Sequence, residues 1–149
     1  MKCTLTVIGG GYDKQEVADL LETLQIKGMV KLSGIVRQNE LPLYLKDAHV
    51  LLHTARFETG CAVIQEAMAS GVAVVGTNVG LLSDIGDEFA VVVPVRDPIA
   101  FAEGILGLIA DKNKYDRISR DAFQWILKFD VRWSFTNYVE LLDKISKLH

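Results

Sequence analysis

Apolar residues along this chain fall into two alternating patterns. Short Val/Ile/Leu-rich runs predict strands at Thr4–Ile8, Val30–Gly34, His49–His53, Ala73–Gly76 and Phe89–Val93. Between them the apolar positions recur at helical spacing. Val17, Leu20, Leu21 and Leu24 form one such stripe, with Asp13 as expected N-cap and Gly28 as expected stop. Leu41, Leu43, Tyr44 and Leu45 follow Asn39, the expected cap of a short helix. A helix from about Cys61 to Ser70 is closed by Gly71, a short one follows Gly80, and Asp97-Pro98 opens another at Ile99–Ala110. The remainder reads as helical: Tyr115, Ile118, Ala122, Trp125 and Ile126 share one face, and Trp133, Tyr138, Leu141, Leu142 and Ile145 follow a break at Lys128-Phe129-Asp130. Trp125, Phe129, Trp133 and Tyr138 are expected to lie in the core.

Strands that alternate with amphipathic helices imply a parallel sheet, because right-handed crossovers place helices on both its faces. The expected fold is therefore α/β, a doubly wound sheet of about five strands followed by C-terminal helices. No repeat, linker or low-complexity segment interrupts residues 1–149, so a single domain is expected.

Composition narrows the picture. At 149 residues with 50% hydrophobic and 23% charged side chains, the chain has material for a full core and is neither disordered nor a disulfide scaffold. Its apolar runs are far shorter than the ~20 residues of a spanning helix. The residues after Met1 lack the charged and apolar regions of a signal peptide. Cys3 and Cys61 are too few for a disulfide framework, and a reduced, cytoplasmic chain is expected. The net charge of −3 hides an asymmetry, since residues 32–111 hold only Arg37, Lys46, Arg56 and Arg96 against ten acids. A nucleic-acid binder needs a basic stripe on its working surface, which this stretch lacks.

In an open α/β sheet, ligands bind beyond the carboxyl ends of the strands. Gly9-Gly10-Gly11-Tyr12, Ile35-Val36-Arg37, the loop Thr54 to Gly60 and Thr77-Asn78-Val79-Gly80 all reach that edge. In the third, Glu58 precedes a helix that starts near Gly60-Cys61 and carries Glu66. Helix N–H groups suit a phosphate, and carboxylates can accept paired hydrogen bonds from vicinal hydroxyls. A nucleotide-sugar has both complements. For an arbitrary pair of glutamates, solvated positions are the commoner case.

The surrounding residues add to this reading. The stretch Glu58-Thr59-Gly60-Cys61-Ala62-Val63-Ile64-Gln65-Glu66-Ala67-Met68-Ala69-Ser70-Gly71, with the strand and Val79-Gly80 turn after it, resembles the C-terminal, donor-binding domain of retaining GT-B glycosyltransferases of family 4, or group 1. Val7-Ile8-Gly9-Gly10-Gly11, Val30-Lys31-Leu32-Ser33-Gly34 and Phe129 to Trp133 with Tyr138 extend the resemblance over nearly the whole chain. The resemblance implies that Glu66 binds the ribose of a nucleoside diphosphate sugar and that Glu58 acts at the donor sugar near the reacting carbon. It further implies that Gly60, Cys61 and Ala62 face sugar or diphosphate, that Ile35 and Val36 flank the base, and that Gly10 and Gly80 allow close approach. Arg56 is the only basic residue near in sequence to the phosphate site. No metal or other cofactor is implied, and Glu58 would position and stabilise charge in a front-face transfer with retention rather than act as nucleophile.

Departures are specific. Thr59-Gly60-Cys61 stands where the family has Gly-Phe-Gly, Leu81 replaces the second glycine of a Gly-Gly turn, and His53 stands where Pro is frequent. The family's N-terminal acceptor domain, and the opening strand and helix with their Arg and Lys, have no counterpart here. Weak donor affinity, no transfer by this chain alone, and an acceptor domain supplied in cis or trans are expected, with any membrane contact made only through that missing half. Without the opening strand, the sheet could close up in the order 2-1-3-4-5. The rival readings are an interaction subunit working in trans and a flavodoxin-like module with solvated glutamates. Gly9-Gly10-Gly11 lacks the third glycine of a dinucleotide fingerprint. His49, His53 and His149 lack metal-ligand spacing to any Cys or carboxylate cluster, and Cys61 has no base beside it in sequence.

Overall fold

Every apolar run of the first kind becomes a strand in the computed structural model, which describes residues 3–11 and 14–147. The strands are β1 (Leu5–Ile8), β2 (Val30–Gly34), β3 (Val50–His53), β4 (Ala73–Thr77) and β5 (Val91–Val93). The helices are α1 (Lys14–Thr23), α2 (Leu41–Lys46), α3 (Ala62–Ala69), α4 (Leu81–Ile85), α5 (Pro98–Ala110), α6 (Lys112–Ile126) and α7 (Val131–Ser146). The chain divides into two compact units, Met1–Tyr44 and Leu45–His149.

In the first unit β1 and β2 pair in parallel, Leu5 opposite Val30 through Val7 opposite Leu32, before a slip sets Ile8 opposite Gly34. Gly34 takes φ +68° at that slip, and its carbonyl accepts the Gly9 N–H at 2.8 Å. Helix α1 ends earlier than Gly28. Gln25 adopts φ +57°, Ile26 N–H donates to Leu21 O at 3.1 Å, and Gln25 N–H donates to Glu22 O at 3.0 Å. This is a Schellman closure with glutamine in the position glycine usually fills. The expected Asp13 cap lies outside the described residues. Asn39 does not cap α2: it sits inside a 3₁₀ turn, Gln38–Glu40. The Glu40 carboxylate clamps Arg37 instead, accepting its backbone N–H at 3.0 Å and its guanidinium at 2.6 Å and 3.2 Å.

In the second unit β3, β4 and β5 form a parallel sheet in that order, with Val50 opposite Ala73 and Val75 opposite Val91. All five residues of β4 are buried, as a central strand covered on both faces requires. Ala73 and Val75 enter one cluster with Val91, Val93, Leu108 of α5 and Ile118 of α6. Gly76 projects to the opposite face, where an added Cβ would run into Leu82 of α4 and come within 3.2 Å of His53. Asp97, Asp111 and Asp130 cap α5, α6 and α7, each accepting a first-turn N–H at 2.8–2.9 Å. Gly71 closes α3 with φ +72°.

Parallel strands with flanking helices give the α/β, Rossmann-like class. The described residues form two parallel ladders, β1-β2 in the first unit and β3-β4-β5 in the second, rather than the expected single five-stranded ladder in the order 2-1-3-4-5. The aromatic residues near the C-terminus depart from the expectation of core. Phe89, Trp125, Phe129 and Trp133 form a run of ring contacts at centroid distances of 4.7–5.3 Å, stacked, tilted and edge-on in turn. Phe129 and Trp133 are nevertheless 39% and 46% exposed, and Tyr138 is 69% exposed. Helical spacing marks an apolar stripe but does not supply a partner for it, and α7 carries its stripe to the surface. No helix among the described residues is long and apolar enough to cross a membrane.

Candidate functional site

The loop between β3 and α3 is built by hydrogen bonds to the end of β4. Thr77, the last residue of β4 and almost fully buried, donates from Oγ1 to Ala55 O at 2.6 Å. The partner carbonyl belongs to the loop that carries Arg56, Phe57 and Glu58. Gly80 then brings the next turn onto the same loop. Its backbone lies at φ +51°, ψ −133°, and a Cβ there would stand 2.7 Å from Glu58 O and 3.0 Å from Glu58 C. Only glycine accepts both the conformation and the approach. Gly80, expected beside a ligand, therefore serves first to seat the Glu58 backbone.

Glu58 itself is partly buried and pre-oriented. Its Oε1 accepts the N–H of Thr59 at 2.9 Å and of Gly60 at 3.2 Å, so the carboxylate is fixed against the turn leading into α3. Its Oε2 stands 3.9 Å from His53 Nε2. His53 ends β3 with only 9% of its surface exposed, and its Nδ1 is buried without a hydrogen-bond partner. Burial holds the His53 pKa below the ordinary 6.5, partly opposed by the Glu58 charge, which keeps the imidazole neutral near pH 7.

Cys61 occupies the N-cap position of α3 without making a side-chain capping bond to the helix. Burial pushes its thiol pKa up, the N–H groups of Ile64 and Val63 partly offset this, and the Glu58 carboxylate adds to the rise. The thiol is thus held protonated, and the positive end of α3 is open to an anion at Cys61 and Ala62. Glu66 lies on the same helix, partly buried, while Arg56, Gly60 and Ala62 are exposed. His53, Glu58 and Cys61 converge, each offering one ligand atom within 4.8 Å of the others. Spacing along the chain gave no reason to group them. The fold does so because β3 ends where α3 begins.

In the first unit, Gly10 lies against Ile35, since a Cβ at Gly10 would meet Ile35 Cγ1 at 2.9 Å. Ile35 is 86% exposed and Val36 partly buried. Val7, Gly9, Gly10, Gly11, Val17, Leu32 and Gly34 line a small open cleft of about 210 Å³ there. Sequence reasoning set Thr77 at the ligand edge without a role and gave Gly76 none; the pairing of β3 with β4 supplies both.

The family described as glycosyl transferases group 1 matches residues 1–125. Among curated relatives, the GDP-mannose-dependent alpha-mannosyltransferase of Mycolicibacterium smegmatis is 27% identical over 125 residues, covering 78% of this chain and 30% of the relative. A human subunit of phosphatidylinositol N-acetylglucosaminyltransferase is 27% identical over 100 residues, covering 66% of this chain and 21% of the relative. The chain thus spans less than a third of either. Among solved structures, HepE of Anabaena in complex with UDP superposes with a TM-score of 0.86 at 22% identity, covering 95% of this chain and 41% of that one. The C-terminal domain of a glycosyl transferase group 1 protein from Francisella tularensis gives 0.75 at 22% identity, covering 84% and 68%. With the match spanning most of its length and the fold agreeing, the chain belongs to the group 1 glycosyl transferases.

Proposed function

We propose that this chain is the donor-binding half of a glycosyltransferase and holds a nucleoside diphosphate sugar at the β3–α3 junction. The supporting observation is the arrangement of the two glutamates about one helix start. Glu58 is fixed by the N–H groups of Thr59 and Gly60, the uncapped first turn of α3 follows, and Glu66 lies farther along the same helix. In this reading the α3 N-terminus receives the diphosphate, Glu66 the ribose hydroxyls and Glu58 the donor sugar. Cys61 and Ala62 present their amides to the diphosphate. Residues 1–149 then act as one nucleotide-sugar-binding domain, with no metal or cofactor needed for transfer.

Glu58 fits an electrostatic role in retaining transfer. A carboxylate beside the reacting carbon stabilises the positive charge that develops as the diphosphate leaves, while the helix terminus stabilises the leaving group. The acceptor comes from a separate domain, in cis or trans, without which no transfer occurs. Arg56 is the one basic residue close in sequence to the phosphate site, and an exposed helix end contributes only about 0.3–1 kcal/mol, so donor affinity is weak. Both cysteines are free, in keeping with a reducing cytoplasm.

The relatives differ in nucleotide, GDP for one and UDP for another, so the test uses both. Calorimetric titration with UDP, GDP and ADP sugars is expected to show one nucleotide class binding, with the signal lost in Glu66→Ala. Equal binding by wild type and Glu66→Ala, or none at millimolar ligand, contradicts the assignment.

A further inference from the structure

One face of α7 has no cover. Val131, Phe135, Tyr138, Leu142 and Ile145 recur in alternate steps of four and three residues, the spacing at which two helices interlock their side chains. All five are between 46% and 81% exposed, and Val139 and Leu141 beside them are about half exposed. The helix is held from its other side. Asp130 caps its first turn, and Trp133, half a turn round the helix from Leu142, meets Phe129 edge-on at 5.0 Å. The stripe therefore faces away from the contacts that moor α7.

We propose that this stripe docks a second copy of the chain, α7 against α7, antiparallel about a twofold axis near Tyr138. The spacing calls for a helix as partner, and the charges select which one. In an antiparallel twofold pair, like edges of the two stripes face each other. Arg132 and Asp143 border the same edge of the stripe, on either side of Tyr138 and at nearly equal distances along the helix. Arg132 of each copy then meets Asp143 of the other, and the pair forms twice. Neither residue has an ion-pair partner among the described residues. A parallel arrangement would set Arg132 against the opposite edge, at Ser134. The uncovered side chains leave roughly 700 Å² of surface per copy, and covering most of it in both copies removes the about 1,000 Å² that a specific interface needs. On the rest of α7, Arg132, Lys144 and Lys147 balance Asp130, Glu140 and Asp143, without the cationic excess of a helix that lies on a membrane surface. The surface takes no residue from the β3–α3 junction, so it stands or falls apart from the function proposed above.

Sedimentation equilibrium of the full chain, without nucleotide, tests this directly. The expected result is a reversible monomer–dimer equilibrium in the micromolar range. Leu142→Glu places a charge inside the paired stripe and should leave the chain monomeric, with its circular dichroism kept because that side chain is exposed in the single copy. Leu106→Glu, at an exposed position of α5, should dimerise as wild type does. Arg132→Glu and Asp143→Arg should each weaken dimerisation about tenfold, and the double variant should restore it. Each single change favours α7 as a helix, an acid near its N-terminus or a base near its C-terminus, so a weaker dimer does not report a melted helix. A monomer at every concentration, a dimer that survives Leu142→Glu, or a double variant as weak as either single change overturns the proposal.

Discussion

Replacing Gly80 by alanine introduces two separable costs at one point. The first is conformational: at φ +51°, ψ −133° an L-residue is strained, and holding a residue in such a region costs about 1–3 kcal/mol. The second is steric, because the new Cβ would sit 2.7 Å from Glu58 O and 3.0 Å from Glu58 C. Both contacts are backbone, so no side-chain rotamer can relieve them and the loop carrying Glu58 must retreat. For a chain of this size, at roughly 4 °C per kcal/mol, the conformational cost alone lowers Tm by about 4–12 °C. Thermal melts of Gly80→Ala beside Gly107→Ala provide the comparison. A Cβ at Gly107 has nothing within 4 Å and that residue lies inside α5, where alanine is preferred to glycine by about 0.5–1 kcal/mol. Gly107→Ala should therefore melt slightly higher than wild type, and Gly80→Ala clearly lower with donor binding reduced. Equal melting of Gly80→Ala and wild type would refute the reasoning.

Three further outcomes are expected. Thr77→Val removes the donor to Ala55 O, leaving that carbonyl unsatisfied and costing about 1–3 kcal/mol, read by chemical denaturation with faster amide exchange in residues 54–58. His53 should titrate by NMR below the ordinary 6.5; because its folded pKa is depressed, chiefly by burial, its contribution to stability is present above pH 6.5 and is lost as pH falls toward the folded value. Asp130→Ala removes the acceptor for Trp133 N–H and should cost about 1 kcal/mol, with loss of helical signal from α7.

Much of the fold is legible in the sequence because the two periodicities are clean. The Val/Ile/Leu runs mark all five strands, and Asp97-Pro98 opens α5 where expected, its carboxylate accepting Ala100 N–H at 2.9 Å. Helix ends decided by backbone geometry are less legible. Gln25 takes a left-handed conformation that sequence assigns to Gly28, and Arg37 rather than Asn39 is bound at the start of its turn. The candidate site is legible as a motif around Glu58 and Glu66 but not as an arrangement. That Thr77 tethers Ala55 follows from adjacent parallel strands ending together, a relation between residues distant in sequence, whereas His53, Glu58 and Cys61 meet through the local path of the β3–α3 loop, which spacing alone does not reveal. The α7 stripe shows the complementary failure, since periodicity identified its apolar face without revealing that Tyr138 and Leu142 would be exposed at 69% and 63%.

The central claim is that the β3–α3 junction holds the diphosphate of a sugar nucleotide. Amide chemical-shift mapping with UDP and GDP on the labelled full chain addresses it most directly. The largest perturbations are expected at Gly60, Cys61, Ala62, Glu66 and Gly80, and those at Gly60, Cys61, Ala62 and Gly80 are expected to vanish in Glu66→Ala. Perturbation centred instead on the open cleft of Ser70, Gly71, Ser119 and Arg120, or spread evenly along the chain, would contradict it.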